Sequence, residues 1–439
     1  METERRTPPP APVEVPNFFV CPISLEVMRD PVTLSSGITY DRDSIERWVF
    51  TDGHGDCPVT KLPLGAADLR DPTPNHTLRR LIQSWCASHA VERFPTPRPP
   101  VDADRVAAVI ARAGGGRREE EVAAAVRELA DIVGESDRNR RCVEGTPGVV
   151  EFLVSVVKMA DKAQQMDSAK ESSPEEAALS LLHSLKLSED TLKRVLSDNT
   201  GSGDDYLDTL ASVLRRWPSY WSRTYAIHLL KSALAAAPPS RLATASTELI
   251  EGVVNVVSGS GTTALSPKAV KVALHVICRL CPWGRNRIRV VEAGAVPALV
   301  SLLLIEGCGG GVNGTTGGKR TCELAAVAVD HLCGCAEGRQ EVVAHPAGLA
   351  VLARAATRLS PAGVESAVRA LHAVARHSAT PAVLQEMLAV GVVGRLLFLV
   401  QAGAAGERPR ERAREMLKMH ARVWRGSPCL ASYLASYPC

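Results

Sequence analysis

Cys21 and Cys57 raise the question of chemistry in this chain. Each is followed by a proline, and each stands where the first ligand of a zinc-binding arm would stand. Structural zinc takes four soft ligands, usually from paired C-x-x-C or H-x-x-H arms. Three positions after Cys21 comes Ser24, and three after Cys57 comes Thr60. A neutral hydroxyl is a poor zinc ligand, so the outline of two arms remains without the ligand set. No metal and no cofactor is expected. The stretch from Phe18 to Trp85 must instead hold its shape by packing and hydrogen bonds, with Asp30, Asp41, Arg42 and Asp43 as polar substitutes. Neither cysteine has a histidine or other base placed by sequence to generate a thiolate, so neither reads as a nucleophile.

Short elements must position these arms. Val32–Leu34 and Ile38–Tyr40 flank Ser35-Ser36-Gly37, which predicts a hairpin. Asp41 or Asp43 is a candidate helix cap, with Glu46 at capping-box distance from Asp43. The helix that follows places Ile45, Trp48 and Val49 on one face. The second arm, Cys57-Pro58-Val59-Thr60, repeats the form of Cys21-Pro22-Ile23-Ser24. Asn75 is a candidate cap for a second helix with an apolar stripe of Leu78, Leu81, Ile82 and Trp85.

Residues 1–15 read as a Pro-rich disordered leader, 16–90 as the head, 91–101 as a stiff Pro-rich linker and 102–439 as a helical body. Seven of the eighteen aromatic residues fall in the first 94 positions, so the head has an aromatic core and the body an Ala/Leu/Val one. Four segments of the body share a plan: NRRCVEGTPGVVEFLVSVV from Asn139, NRIRVVEAGAVPALVSLLL from Asn286, GRQEVVAHPAGLAVLARAA from Gly338 and LQEMLAVGVVGRLLFLVQA from Leu384. Each is a short helix, a Gly or Pro break and an apolar helix. A period of roughly 45–50 residues predicts a helical solenoid, in which each unit's apolar face is covered by its neighbour. Flexible loops are predicted near 161–173 and 306–318.

Composition narrows the function. A net charge of +3 with no long basic tract gives no footprint for nucleic acid. The longest apolar run, Ala295 to Ile305, is too short to span a bilayer. The charged, Pro-rich start lacks the apolar core of a signal peptide, so the protein is expected in the cytoplasm, with nuclear or peripheral membrane pools also admitted. The twelve cysteines are scattered in apolar helices, as reduced core thiols are. The pairs Cys278/Cys281 and Cys333/Cys335 lack partner His/Cys pairs for metal. The eight histidines of the body are dispersed and read as structural or solvated.

The head has the outline of a RING finger without zinc, and CPISLEVMRDPVT, GITYDRDSIERW, CPVTK and PNHTLRRLIQSWC closely resemble a U-box. The linker PTPRPP and the body resemble plant U-box proteins with armadillo repeats, in particular a smaller group linked to defence and stress signalling. One departure is Asp68–Thr73: many U-boxes place Ile directly before the Pro-Asn pair, where this chain has Asp71-Pro72-Thr73, and a rearranged loop is expected there. The resemblance implies a small α+β U-box followed by an all-α armadillo-like solenoid. It also implies a ubiquitin ligase that holds a ubiquitin-charged conjugating enzyme on the U-box and a substrate protein on the repeats, without a covalent ligase intermediate. Ile23, Trp48 and Pro58 would line the groove for the conjugating enzyme, with Cys21 and Leu25 beside it. Lys61 would bridge that enzyme and its ubiquitin, in a role more often filled by Arg. Each also has a plainer use, as core, turn or solvated residue. Self-association through the U-box is a further implication. The competing function is a non-enzymatic scaffold built on the repeats.

Overall fold

The computed structural model describes residues 15–65, 68, 72–89, 101–116, 119–163, 173–197, 202–259, 264–308, 316–401 and 406–426. The leader, most of the linker and the centres of both expected loops lie outside them. The chain forms two compact units, one of residues 1–108 with 128–143 and one of 109–127 with 144–439.

In the first unit, strand β1 (Pro31–Thr33) pairs antiparallel with β2 (Thr39–Asp41), Val32 opposite Tyr40. This is the expected hairpin, its turn carrying Gly37 at φ 78°. Such a left-handed conformation suits glycine, which has no Cβ to clash. β3 (Thr73–Pro74) pairs with the other edge of β1, giving the order β2-β1-β3. Helix α1 (Arg42–Glu46) continues into one wide turn, Arg47–Thr51. Helix α2 (His76–Ser88) starts where Asn75 accepts a hydrogen bond from the Leu78 amide at 3.0 Å. The core between them is Phe19, Cys21, Met28, Val32, Leu34, Tyr40, Ile45, Cys57, Ile82 and Cys86.

Three expectations are corrected. Asp41 sits at the cap position of α1 but makes no capping bond, because its carboxylate is engaged by the preceding loop. Glu46 forms no capping box; it is buried between Arg42 at 3.9 Å and Arg141 at 3.0 Å. On α2 the inward stripe runs through Leu78, Ile82, Trp85 and Cys86, whereas Leu81 is half in water, at the edge of the apolar face.

The body's helices come in triplets: a short helix, a second helix and a third. Short helices of successive triplets include Glu189–Ser197, Pro239–Ala243, Gly284–Glu292, Ala336–Ala344 and Pro381–Ala389. The break between short and second helix holds Gly148, Gly294 or Gly391, with φ of 89°, 82° and 79°. Third helices open on a serine cap, Ser173, Ser219, Ser266 or Ser360, mostly with proline next, a pairing preorganised for the first turn. Second helices pack on second helices of the next triplet and third on third, so the repeats stack in two layers. Beside the expected loops, helix continues to Ala163 and Cys308 and resumes at Pro174 and Thr316.

Hydrogen bonds from one repeat to the next fix the register of the stack. Buried Asn286 donates from Nδ2 to Leu242 O at 2.5 Å and to Leu280 O at 3.4 Å. Arg289 reaches Ala245 O at 2.8 Å, and Trp424 Nε1 reaches Leu384 O at 3.2 Å. Removing such a donor strands buried carbonyls. Asn286→Ala is therefore expected to cost about 1–3 kcal/mol of stability, read as a lowered denaturation midpoint.

Candidate functional site

The two arms are copies of one loop. Cys21 N–H donates to Glu26 O at 2.8 Å and Leu25 N–H to Cys21 O at 2.9 Å. In the second arm, Cys57 N–H donates to Leu62 O at 2.8 Å and Lys61 N–H to Cys57 O at 2.9 Å. The hydroxyls standing where zinc ligands would be turn inward on their own loops: Ser24 Oγ accepts from Glu26 N–H at 3.4 Å and Thr60 Oγ1 from Leu62 N–H at 3.5 Å. The tips match too. Leu25 and Lys61 both have φ 57°, a left-handed conformation that costs a residue with a Cβ about 1 kcal/mol or more.

Both sulfurs are held by adjacent residues of β2. The Asp41 amide donates to Cys21 Sγ at 3.3 Å. The Tyr40 hydroxyl lies 3.0 Å from Cys57 Sγ and accepts from Val59 N–H at 3.3 Å. Asp41 also receives the amides of Arg29 and Asp30, at 2.8 and 2.9 Å. Asp30 in turn pairs with Arg42 Nε at 2.7 Å and with Arg79. Of the four expected substitutes for zinc, Asp30, Asp41 and Arg42 thus join the arms to the sheet and to α2, whereas Asp43 is exposed. Among the described residues, no group of three or more His, Cys, Asp or Glu could hold a metal ion.

This network tunes Cys57. Burial opposes its ionisation, but hydrogen bonds from Ser36, Thr60 and Tyr40 outweigh it and lower the thiol pKa to about 6. Burial and the bond to Cys57 push Tyr40 the other way, upward. The sequence showed no base near Cys57, and the hydroxyl cluster is what it missed. The sulfur still has no exposed surface, so it is not placed for attack on a thioester. In the body, burial raises Cys278 and Cys281 to about 12 and also raises Cys333 and Cys335, a setting for inert thiols.

The candidate groove residues separate by exposure. Leu25 is 77% exposed at the tip of the first arm. Ile23 is half-buried, one side of it on the core. Trp48 is also half-buried, and its Nε1 donates to Asp56 O at 2.9 Å, tying α1 to the second arm. The His54 ring stacks on the indole at 3.8 Å, and Lys61 Nζ stands 5.4 Å from its centroid and 3.8 Å from Asp56. Pro58 is half-buried next to Cys57. Cys21 is a correction: its side chain is fully enclosed, so it shapes the arm from beneath and presents nothing to a partner. Val59 and Leu62, unforeseen, are 53% and 57% exposed around Lys61. The likeness of the arms was the signal for Val59, since it is the counterpart of Ile23.

Asp68 was also missed as a latch. It accepts from Ser35 N–H at 2.8 Å, from the Ser35 hydroxyl and from Gly65 N–H at 3.2 Å, joining the hairpin turn to the segment after the second arm. The rearrangement expected around Asp71 lies partly outside the described residues.

A pair of arms without a zinc ligand set on a three-stranded sheet, with a body of stacked helical triplets, defines a U-box protein with armadillo repeats. The family model for the U-box domain matches residues 15–91, and that for the plant U-box protein ARM repeat region matches 105–437. The E3 ubiquitin-protein ligase PUB23 of Arabidopsis thaliana is 43% identical over 97% of this chain and 98% of its own. The E3 ubiquitin-protein ligase PUB22 of the same plant is 39% identical over 97% and 99%. Among solved structures, a designed armadillo repeat protein matches at 16% identity and a TM-score of 0.41, over 62% of this chain and 99% of that one. The chain belongs to the plant U-box family with ARM repeats, and it is an E3 ubiquitin ligase.

The latch has a pH signature. Burial works against ionisation of Asp68, but the bonds from Ser35 and Gly65 outweigh it and hold its carboxyl below the ordinary range. A carboxylate whose folded pKa is depressed adds stability above its unfolded pKa and loses it as pH falls through the folded one. Asp68→Asn is therefore expected to lower the melting temperature at neutral pH. The gap from the parent protein should close on acidification below the usual carboxylate range.

Proposed function

We propose that Ile23, Leu25, Trp48 and Pro58 form the surface on which a ubiquitin-charged conjugating enzyme docks. The observation that carries this reading is Leu25, an apolar side chain left 77% in water on a left-handed backbone. The fold gains little from such a residue, whereas a partner that covers it gains its whole apolar surface. The proline that opens each arm limits the ordering cost on binding. Val59 and Leu62 extend the apolar surface around Lys61.

Lys61 lies between docking surface and solvent, its ammonium steered by Asp56 and the face of Trp48. It bridges the conjugating enzyme and its ubiquitin, holding the thioester in a reactive arrangement. The chain contributes no covalent step. The substrate's lysine amine attacks the thioester carbonyl, and the conjugating enzyme's cysteine thiolate leaves. The ligase raises effective concentration and fixes geometry. The armadillo repeats hold the substrate. Self-association through the U-box, supported by exposed Phe18 and Leu81, belongs to the same proposal. We place the activity in the cytoplasm and in defence or stress signalling on family resemblance.

Exposure decides which variants test the surface cleanly. Trp48 and Ile23 also support the core, so Leu25 is the better site. Leu25→Glu is expected to weaken conjugating-enzyme binding about 30-fold, the scale of a hot spot of about 2 kcal/mol. Its melting temperature should be unchanged. Self-ubiquitination at the parent rate in this folded variant would place the docking surface elsewhere. Lys61→Ala should slow transfer while leaving binding intact, and Lys61→Arg should restore it.

A further inference from the structure

An arginine far along the chain takes hold of the turn that carries Trp48. Helix Asp137–Gly145 follows the linker, and its residues up to Val143 belong to the same compact unit as the U-box. From it Arg141 reaches the wide turn at two points. Its Nη2 donates to Glu46 Oε2 at 3.0 Å, and its guanidinium carbon stands 3.4 Å from the centre of the Phe50 ring. Its Nε donates to Asp137 O of its own helix at 3.3 Å, which fixes the orientation of the group.

Glu46 and Phe50 are four residues apart and share one side of the helix, whereas Trp48, two residues from each, faces the other. Arg141 therefore grips the side opposite the docking surface. The backbone between makes that grip matter. α1 ends at Glu46, and the chain widens over Arg47–Thr51, where Asp52 N–H bonds back to Arg47 O at 3.0 Å. Such wide turns are rare, occur mostly as single turns and are frequent at functional sites. Widening rotates the side chains along the turn, so the aim of Trp48 depends on how the turn is held.

The helix that presents Arg141 is itself anchored. Buried Asn139 accepts from Val101 N–H at 3.2 Å and donates to Glu135 Oε2 at 3.1 Å, and Val143 is fully enclosed. At the fifth position, where this helix has Arg141, other nine-residue short helices have Lys193, Ile288, Gln340 and Gln385. Lys193 pairs with Glu189 of its own helix at 2.5 Å. Stacking of one repeat on the next thus does not call for an arginine at this position.

We propose that Arg141 is a positioning residue for ubiquitin transfer: it fixes the wide turn from behind and so presets Trp48 for the conjugating enzyme. The planar guanidinium meets a carboxylate at its edge and an aromatic ring at its face, a combination that a lysine ammonium does not reproduce. A preset turn spares ordering cost on binding. Loss of the grip therefore raises KM for the charged conjugating enzyme and leaves kcat alone. The proposal rests on the reading that Trp48 belongs to the docking surface.

The test follows self-ubiquitination by the full chain over a range of concentrations of charged conjugating enzyme. Arg141→Ala is expected to raise KM about 10-fold with kcat unchanged, and Arg141→Lys to recover only part of the loss. Phe50→Leu leaves the Glu46 pair in place and should raise KM in the same direction. The double variant should be no worse than Arg141→Ala alone, since both remove one contact. A lowered melting temperature with the parent KM in Arg141→Ala would make the residue structural only and overturn the proposal. So would effects of Arg141→Ala and Phe50→Leu that multiply, because Phe50 would then act on the partner independently. Should Arg141→Ala fail to fold, Arg141→Lys and Phe50→Leu decide, and the parent KM in both overturns the proposal. Leu25→Glu in the same assay separates the two readings. A raised KM there beside the parent KM in Arg141→Ala removes the role of Arg141 and leaves the docking surface standing. The parent KM in Leu25→Glu contradicts the docking surface, and the role of Arg141 falls with it.

Discussion

The head depends on two neighbouring residues of β2. Tyr40 and Asp41 each take one sulfur, the first through its hydroxyl and the second through its amide. In a zinc-binding arm, an ion would hold the cysteine and fix the shape of its loop. Here a strand does so, and a strand is itself fixed by its ladder and by the core beneath it. Polar groups drawn into this arrangement are held by partners, because an unpaired buried group costs more than a good bond returns. That is why Asp41 abandons its capping position, why Asp30 gathers two arginines and why Ser24 and Thr60 fold back on their own loops. With the arms held from beneath, their tips can carry Leu25 and Lys61 in a conformation neither would choose alone.

The body solves a different problem with the same economy. A short amphipathic helix cannot cover its own apolar face, so each triplet borrows cover from the next. Apolar packing alone would allow neighbouring repeats to slide. The bonds from Asn286, Arg289 and Trp424 to carbonyls of the preceding repeat remove that freedom, since a slipped register would leave those groups unpaired.

Much of this was legible in the sequence, and the reasons for the rest are specific. Periodicity identified the solenoid because a repeat forces the same buried positions to recur. The hairpin and the Asn75 cap followed from local turn and capping chemistry. The loss of zinc ligands could be counted directly. Tertiary partners could not be counted. Asp41 and Glu46 looked like caps because capping is local, yet distant groups claimed both. Cys21 could be read equally as a contact residue or as a packing thiol, and only the packing showed the side chain enclosed. Asp68 fell within a departure from the family pattern, where resemblance gives no guidance. Leu81 fitted a helical stripe in register, but tertiary packing left it half in water.

The central claim is that hydrogen bonds from β2 do the structural work of a metal in an active ligase. The most direct measurement is the self-ubiquitination rate of the full chain before and after treatment with a strong zinc chelator, alongside its metal content. The account predicts no stoichiometric zinc, an unchanged rate and an unchanged melting temperature. One tightly bound zinc per chain, with activity lost on its removal, would contradict it.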